Sequence, residues 1–194
     1  MADAADPGTA LRDLQVRRPQ RADARRNFDA LIAAARAVFA EQGTGASLED
    51  VARRAGVGIG TLYRNFPTRR DLFESVYIGE VEELVTAAEE VADQAPWAAL
   101  DAWLRRFVGY VATKRAIAEA LNHESSVFTA CRETMCGAGR PLLERAQAAG
   151  QARGDIDFDD LLRLMSGITS GGFVDDDQRN RVLEIALDGL RARR

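Results

Sequence analysis

The sequence predicts an all-α fold of about nine helices, and three observations favour it. Apolar residues recur at helical spacing along most of the 194-residue chain. No segment shows the alternation of apolar and polar residues that is typical of a half-buried strand. Glycine and proline interrupt the helical pattern at intervals, and so divide it into separate helices.

The N-terminal part is predicted to contain an arm and three helices. Residues 1–21 include prolines and arginines but no apolar periodicity, so we expect a disordered basic arm. The helices are expected over about 23–42, 48–55 and 58–65. They define a predicted domain at 22–68.

The second and third of these helices are joined by a tight turn. Ser47 followed by Asp50 is typical of a helix start, because a serine oxygen can accept an N–H group of the first turn. Gly56 is expected to end the helix in the left-handed conformation, and Val57 to fill the turn. Two helices joined in this way form a helix-turn-helix arrangement, whose second helix enters the major groove of DNA.

The outward residues of this corner are donors suited to DNA. Hydroxyl, amide and guanidinium groups bind phosphate oxygens. We therefore predict phosphate contacts from Ser47, Thr61, Tyr63, Asn65 and Arg69. Arg64 is the outward residue able to make a bidentate contact with guanine, and Ile59 can touch a thymine methyl group.

Charge is distributed unevenly along the chain. The net charge is -4, yet the segment from Arg17 to Arg70 carries eleven arginines and five acidic residues. Such a local basic patch governs electrostatic attraction to DNA. The arginines nearest the start of the chain are expected either to contact the DNA backbone or minor groove, or to form a solvated tail: Arg17, Arg18, Arg21, Arg25 and Arg26.

These motifs resemble the DNA-binding domain of the TetR family of bacterial transcriptional regulators. The family pattern runs roughly A-x-x-A-G-V-x-x-G-T-L-Y-x-H-F-x-x-K, and this chain matches it at Ala52, 55–57, 60–63 and Phe66-Pro67. Asn65 stands where the family usually has histidine, and Arg69 where it usually has lysine, but both keep an N–H donor. The resemblance implies phosphate contacts at positions matching Thr61, Tyr63, Asn65 and Arg69. It also implies a homodimer and a small-molecule effector bound by the C-terminal domain.

The C-terminal domain is predicted over residues 69–194, with a long fourth helix, about 68–92, crossing the boundary. Further helices are expected over about 96–114, 116–129, 131–149, 158–169 and 178–192. Two glycines and Pro141 predict a kink or break inside the helix at 131–149.

Two functional surfaces are predicted in this domain. The pocket implied by the resemblance is expected to be lined by Trp103, Phe107, Tyr110, His123, Phe128 and Met165, although such residues at helical spacing are more often core. The last helix has a wide apolar arc, which predicts a dimer interface shared with the preceding helix. Its expected residues are Leu161, Met165, Val182, Ile185 and Leu187. The alternative is a terminal helix buried in its own chain.

Composition narrows the class of function. No apolar run reaches the roughly 20 residues of a membrane span, and no signal peptide is visible, so we predict a cytoplasmic protein with no membrane partner. One histidine and two cysteines cannot form a typical structural zinc site. The absence of a nucleophile motif or of carboxylates at metal-binding spacing argues against an enzyme. We predict neither a metal nor a cofactor.

The sequence thus favours a repressor that releases a palindromic operator in double-stranded DNA when a small, largely apolar effector binds. An activator of the same fold is one alternative. Another is a DNA-binding redox sensor that uses Cys131 and Cys136. Five residues apart on a helix, these side chains point about 140° away from each other, so a disulfide between them requires unwinding.

Overall fold

The computed structural model describes residues 18–118, 126–170 and 172–192. Within these ranges the protein has eight α-helices, one short 3-10 helix at Gly43–Gly45 and no strand, which confirms the all-α prediction. The helices are α1 (Ala22–Gln42), α2 (Leu48–Arg54), α3 (Ile59–Asn65), α4 (Arg69–Glu90), α5 (Pro96–Ala118), α6 (Ser126–Ala148), α7 (Phe158–Ser170) and α8 (Asp176–Leu190). Residues 1–17 of the predicted arm lie outside the described residues.

The helices of the C-terminal half differ from the predicted boundaries. α5 continues to Ala118, and α6 runs from Ser126 to Ala148, so the predicted junctions near residues 115 and 130 are wrong. The helix does not break at Pro141, where a kink or a break was predicted. A proline removes one backbone hydrogen bond. Apolar side chains that are buried before and after Pro141 keep α6 helical in spite of that loss.

The described residues form two compact units. The first unit comprises the residues up to Val81 and those of 112–134, and the second comprises 82–111 and the residues from 135 onwards. α4, α5 and α6 each contribute residues to both units. None of the described helices is long and apolar enough to cross a bilayer.

Aromatic contacts hold α1 against the helices that follow it in the first unit. The rings of Phe28 and Phe66 are 4.9 Å apart, and those of Phe39 and Phe73 are stacked at 4.2 Å. Leu62 of α3 is fully buried. α1 therefore supports both α3 and the first turns of α4.

A buried ion pair adds a polar contact between α1 and α4. The Arg36 guanidinium pairs with the Glu80 carboxylate, whose side chain is only 9% exposed. Removing one partner of such a pair is costly, because the other charge then stays in a poorly hydrated site.

The second unit has an aromatic core centred on Trp103. Its ring lies 5.6 Å from that of Phe107 and 5.8 Å from that of Phe158, and its indole N–H donates to the Leu84 carbonyl at 3.0 Å. A Cβ atom at Gly139 would lie 2.5 Å from both the Trp103 and the Phe158 rings. The glycine at position 139 is thus explained by close packing and not by a helix break.

An ion-pair cluster joins α5 to α8 in the second unit. Arg105 donates to Asp101 at 2.8 Å and lies 2.8 Å from a carboxylate oxygen of Glu184. The hydrogen bond to Asp101, helped by Glu184, raises the pKa of Arg105 above its ordinary value. The cluster therefore links α8 to α5 through exposed and half-buried side chains.

Candidate nucleic-acid interface

Backbone and side-chain hydrogen bonds define the ends of α2. The Ser47 hydroxyl accepts the N–H of Asp50 at 3.2 Å, as the sequence predicts. Gly56 has a φ of 70°, in the left-handed region, and the Val57 N–H donates to the Ala52 carbonyl at 3.0 Å. This is the Schellman ending of a helix, which turns the chain sharply towards α3.

α3 presents one buried side and one exposed side. Leu62 and the following Phe66 are fully buried, which orients the helix on the core. Ile59 is 37% exposed and Tyr63 is 47% exposed. The remaining exposed residues of this surface are Gly58, Gly60 and Arg64.

Arg64 is held only loosely by its own helix. Its Nε donates to the Gly60 carbonyl at 3.3 Å, and its Nη2 lies 3.5 Å from the Thr61 hydroxyl. Both distances are at the long end for hydrogen bonds. In residues 18–118, 126–170 and 172–192 no carboxylate pairs with this guanidinium.

The arginines of α2 have carboxylate partners, in contrast with Arg64. Arg53 pairs with Asp50 at 2.6 Å, and Arg54 makes two bonds of 2.7 Å to the carboxylate of Glu41. Arg64 therefore has the more available positive charge on this corner, and it projects from the exposed side of α3.

The predicted phosphate contacts differ in how much of each side chain is accessible. Tyr63 is exposed, whereas Thr61 and Asn65 are half-buried. The Asn65 amide donates to the Thr61 carbonyl at 2.8 Å, so one of its N–H groups is used inside the helix. Ser47 is half-buried and is engaged in capping α2.

The start of α4 places Arg69 close to the end of α3. Asp71 accepts the backbone N–H of Thr68 at 2.8 Å, and the Thr68 hydroxyl accepts the N–H of Asp71 at 3.2 Å. This reciprocal pair caps the helix. The guanidinium of Arg69 lies 5.1 Å from the centre of the Phe73 ring, which orients a half-buried side chain.

Both halves of the chain match known sequence families. Residues 31–76 match the family of bacterial regulatory proteins named tetR, and residues 95–192 match the C-terminal domain of SbtR-like transcriptional regulators. A TetR transcriptional regulator from Streptomyces coelicolor is 40% identical over 86% of this chain and 99% of that chain, with a TM-score of 0.73. The chain belongs to the tetR family. It is a transcriptional regulator with a helix-turn-helix DNA-binding domain.

Other solved structures are similar to this TetR-family regulator. A TetR transcription regulatory protein from Mycobacterium vanbaalenii is 32% identical, covers 90% of this chain and 100% of that chain, and has a TM-score of 0.70. A ketosteroid transcriptional regulator of Mycobacterium tuberculosis shares the fold at 21% identity, with a TM-score of 0.60 and coverage of 91% and 100%. A comparison with curated proteins gave no match.

The residues predicted to line a ligand pocket are distributed over both units of the regulator. Trp103, Phe107, Tyr110 and Met165 are buried in the second unit, where the Phe107 and Tyr110 rings are 5.6 Å apart. Phe128 belongs to the first unit, where its ring centre lies 4.7 Å from that of Tyr77. His123 lies outside the described residues.

Most of the residues predicted for a dimer interface are covered by their own chain. Leu161, Met165 and Leu187 are at most 2% exposed, so they have almost no surface to offer a second protomer. Val182 is half-buried, and Ile185 is 72% exposed.

Two exposed apolar residues near this face were absent from the sequence prediction. Leu164 of α7 is 41% exposed, and Val174, between α7 and α8, is 87% exposed. Leu164 follows Leu161 by one helical turn, so the periodicity of α7 was the signal that could have found it. Val174 lies outside the helices and has no such signal.

Proposed function

We propose that this regulator is a dimeric repressor that reads a palindromic operator with α3 and releases it when a small apolar molecule binds. The exposed face of α3 is the observation that supports the proposed reading of DNA. There Arg64 has no carboxylate partner within the described residues, and Gly60, one turn earlier, has no side chain to hold DNA away.

Each residue of this face has a proposed role. Arg64 makes a bidentate contact with guanine, and Ile59 contacts a thymine methyl group. The phosphate contacts orient the helix without reading sequence, and they are assigned to Ser47, Thr61, Tyr63, Asn65 and Arg69. Tyr63 is the most exposed of these side chains, whereas Ser47 and Asn65 already use hydrogen-bonding capacity inside the protein.

The test compares Arg64→Ala with wild type on an operator selected by the purified protein from random duplexes. A lost guanine contact should cost about 1–3 kcal/mol on that operator and little on scrambled DNA. Arg106→Ala is the matched control, since it removes an exposed arginine of the second unit that pairs with Glu90. If Arg64→Ala weakens operator and scrambled DNA equally, Arg64 is a phosphate contact and the proposed readout is incorrect.

The proposed dimer uses the exposed apolar residues near α7 and α8. Leu164 and Ile185 remain accessible on these helices, and a two-fold axis would bring the same patch of each protomer together. Ile185→Glu should therefore shift sedimentation from dimer to monomer at micromolar concentration. Thr86→Glu adds the same charge at an exposed position of α4 and should leave the dimer intact. A dimer that survives Ile185→Glu would exclude this face.

Release by an effector requires that the ligand bind the DNA-free protein more tightly. By linkage, DNA must weaken that ligand by the same factor, typically about 1–3 kcal/mol. Apolar aromatic compounds can be screened for release of fluorescent operator, and each hit can be titrated with and without DNA. A compound that releases DNA but binds both forms equally would contradict this mechanism.

The redox alternative gains no support from the cysteines. Cys131 is buried and Cys136 half-buried, and both lie on the uninterrupted α6. A disulfide between them would require part of α6 to unwind.

A further inference from the structure

Residues 18–26, which include the first turn of α1, carry four arginines, and two of them are paired with neighbouring carboxylates. Arg18 donates to Asp29 at 2.9 Å through its Nε atom. Arg26 forms an ion pair with Asp23. These two pairs neutralise part of the positive charge of the segment.

The other two arginines, Arg21 and Arg25, have no such partner. Both are exposed, and neither contacts a carboxylate anywhere in the described ranges. Arg21 is the N-cap residue of α1, with an extended backbone, and Arg25 lies one turn into the helix, where its N–H donates to the Arg21 carbonyl at 2.9 Å. The segment thus presents two exposed guanidinium groups at the start of α1.

Helical geometry relates these arginines to the recognition helix. Arg25 precedes Phe28 by three residues within α1, so it lies within about 60° of Phe28 around the helix axis. Arg21, the N-cap residue, lies one turn further from Phe28 along the chain. The Phe28 ring is 4.9 Å from that of Phe66, the residue that ends α3. The surface of α1 that carries the arginines therefore lies next to the surface that packs on the end of α3. It extends up to about 10 Å beyond the contact between Phe28 and Phe66.

We propose that Arg21 and Arg25 form a second DNA contact, which binds backbone phosphates flanking the site that α3 reads. The inference rests on the proposed reading of DNA by α3. Its support is the charge of the two arginines, their availability and their continuity with the α3 surface. Guanidinium groups bind phosphate bidentately, and such contacts add affinity without reading sequence.

The experiment measures operator affinity against salt for the double variant Arg21→Gln/Arg25→Gln. Each lost phosphate contact should lower the slope of log affinity against log salt by about 0.9. The loss should appear on a duplex with flanking base pairs and should vanish on a duplex trimmed to the recognised bases. The variant Arg21→Lys/Arg25→Lys should keep most of the slope, since it retains both charges.

The matched control is Arg106→Gln/Arg163→Gln, which removes two exposed arginines of the second unit. It makes the same change in net charge but should leave the slope unchanged. If the Arg21/Arg25 variant has the same salt slope as the control, or loses the same affinity on both duplexes, the proposed contact does not exist. Dependence of the loss on A·T content in the flank would place the arginines in the minor groove and overturn the phosphate assignment.

A failure of the proposed flanking contact can be distinguished from a failure of the proposed reading of DNA by α3. Arg64→Ala is measured on the same duplexes. If it loses discrimination while the Arg21/Arg25 variant behaves like the control, only the flanking contact is refuted. If wild type itself does not distinguish its selected operator from scrambled DNA, reading by α3 is refuted.

Discussion

Replacing Gly60 by alanine should raise the stability of the protein and weaken its binding to DNA. Gly60 is an exposed residue of α3 without a positive φ, and an added Cβ would meet no described atom within 4 Å. Alanine in place of glycine in a helix gains about 0.5–1 kcal/mol. Nothing within the described protein therefore requires glycine at this position.

The expected loss of DNA binding follows from the neighbours of Gly60. The added methyl group would project from the side of α3 that carries Tyr63 and Arg64, which we propose to face the groove. Overpacking a fitted interface costs about 1–3 kcal/mol, which corresponds to roughly a 5- to 150-fold loss of affinity. The gain in stability and the loss of binding thus have opposite signs, and the loss of binding is the larger effect.

Urea denaturation of the free protein measures the first effect, and fluorescence anisotropy with labelled operator measures the second. Gly109→Ala is the matched control, because Gly109 is also an exposed helical glycine with no described atom within 4 Å of an added Cβ. It should stabilise the protein equally and leave DNA affinity unchanged. A Gly60→Ala variant that binds operator as tightly as wild type would show that DNA does not approach α3 at this residue.

Three further predictions concern stability, each measured by urea denaturation. Gly139→Ala should destabilise the second unit, because overpacking costs about 1–3 kcal/mol and the gain in helix propensity returns only about 1 kcal/mol of it. Gly167→Ala should stabilise the unit, since an added Cβ there has no neighbour within 4 Å. Equal effects of the two substitutions would contradict the close packing at Gly139. Ser47→Ala should cost about 1 kcal/mol through loss of the α2 cap, and Ser47→Gly only a few tenths; no loss would show that the cap is unimportant. Trp103→Ala should cost about 3–5 kcal/mol, and a much smaller loss would indicate that the ring lines a cavity.

The sequence predicts the DNA-binding corner well because its signals are local. Ser47, Gly56 and Thr68 satisfy backbone groups within a few residues of themselves, so their roles follow from their immediate neighbours. Leu62 and Phe66 lie at helical spacing and are buried as expected. The roles of the outward residues towards DNA stay predictions, since they depend on a partner molecule.

The C-terminal half was harder to predict because its signals depend on distant residues. Gly139 resembles a helix breaker in sequence, but its role is to admit the rings of Trp103 and Phe158. Periodicity identified Leu161 and Leu187 as apolar positions of their helices. It could not show that they are covered by the same chain, because an apolar face looks alike whichever surface buries it.

The shortness of α3 limits how this protein can be dissected or transplanted. Isolated helices of fewer than about 12 residues are marginal in water, and α2 and α3 have seven residues each. A peptide excised from the chain over 48–65 should therefore be a random coil with no defined recognition surface. Any miniature DNA reader built from this sequence must also carry the supporting aromatic residues, Phe28 and Phe39 of α1 and Phe73 of α4. Exchanging operator preference between relatives is correspondingly better attempted by grafting outward side chains onto the intact scaffold than by moving the helix.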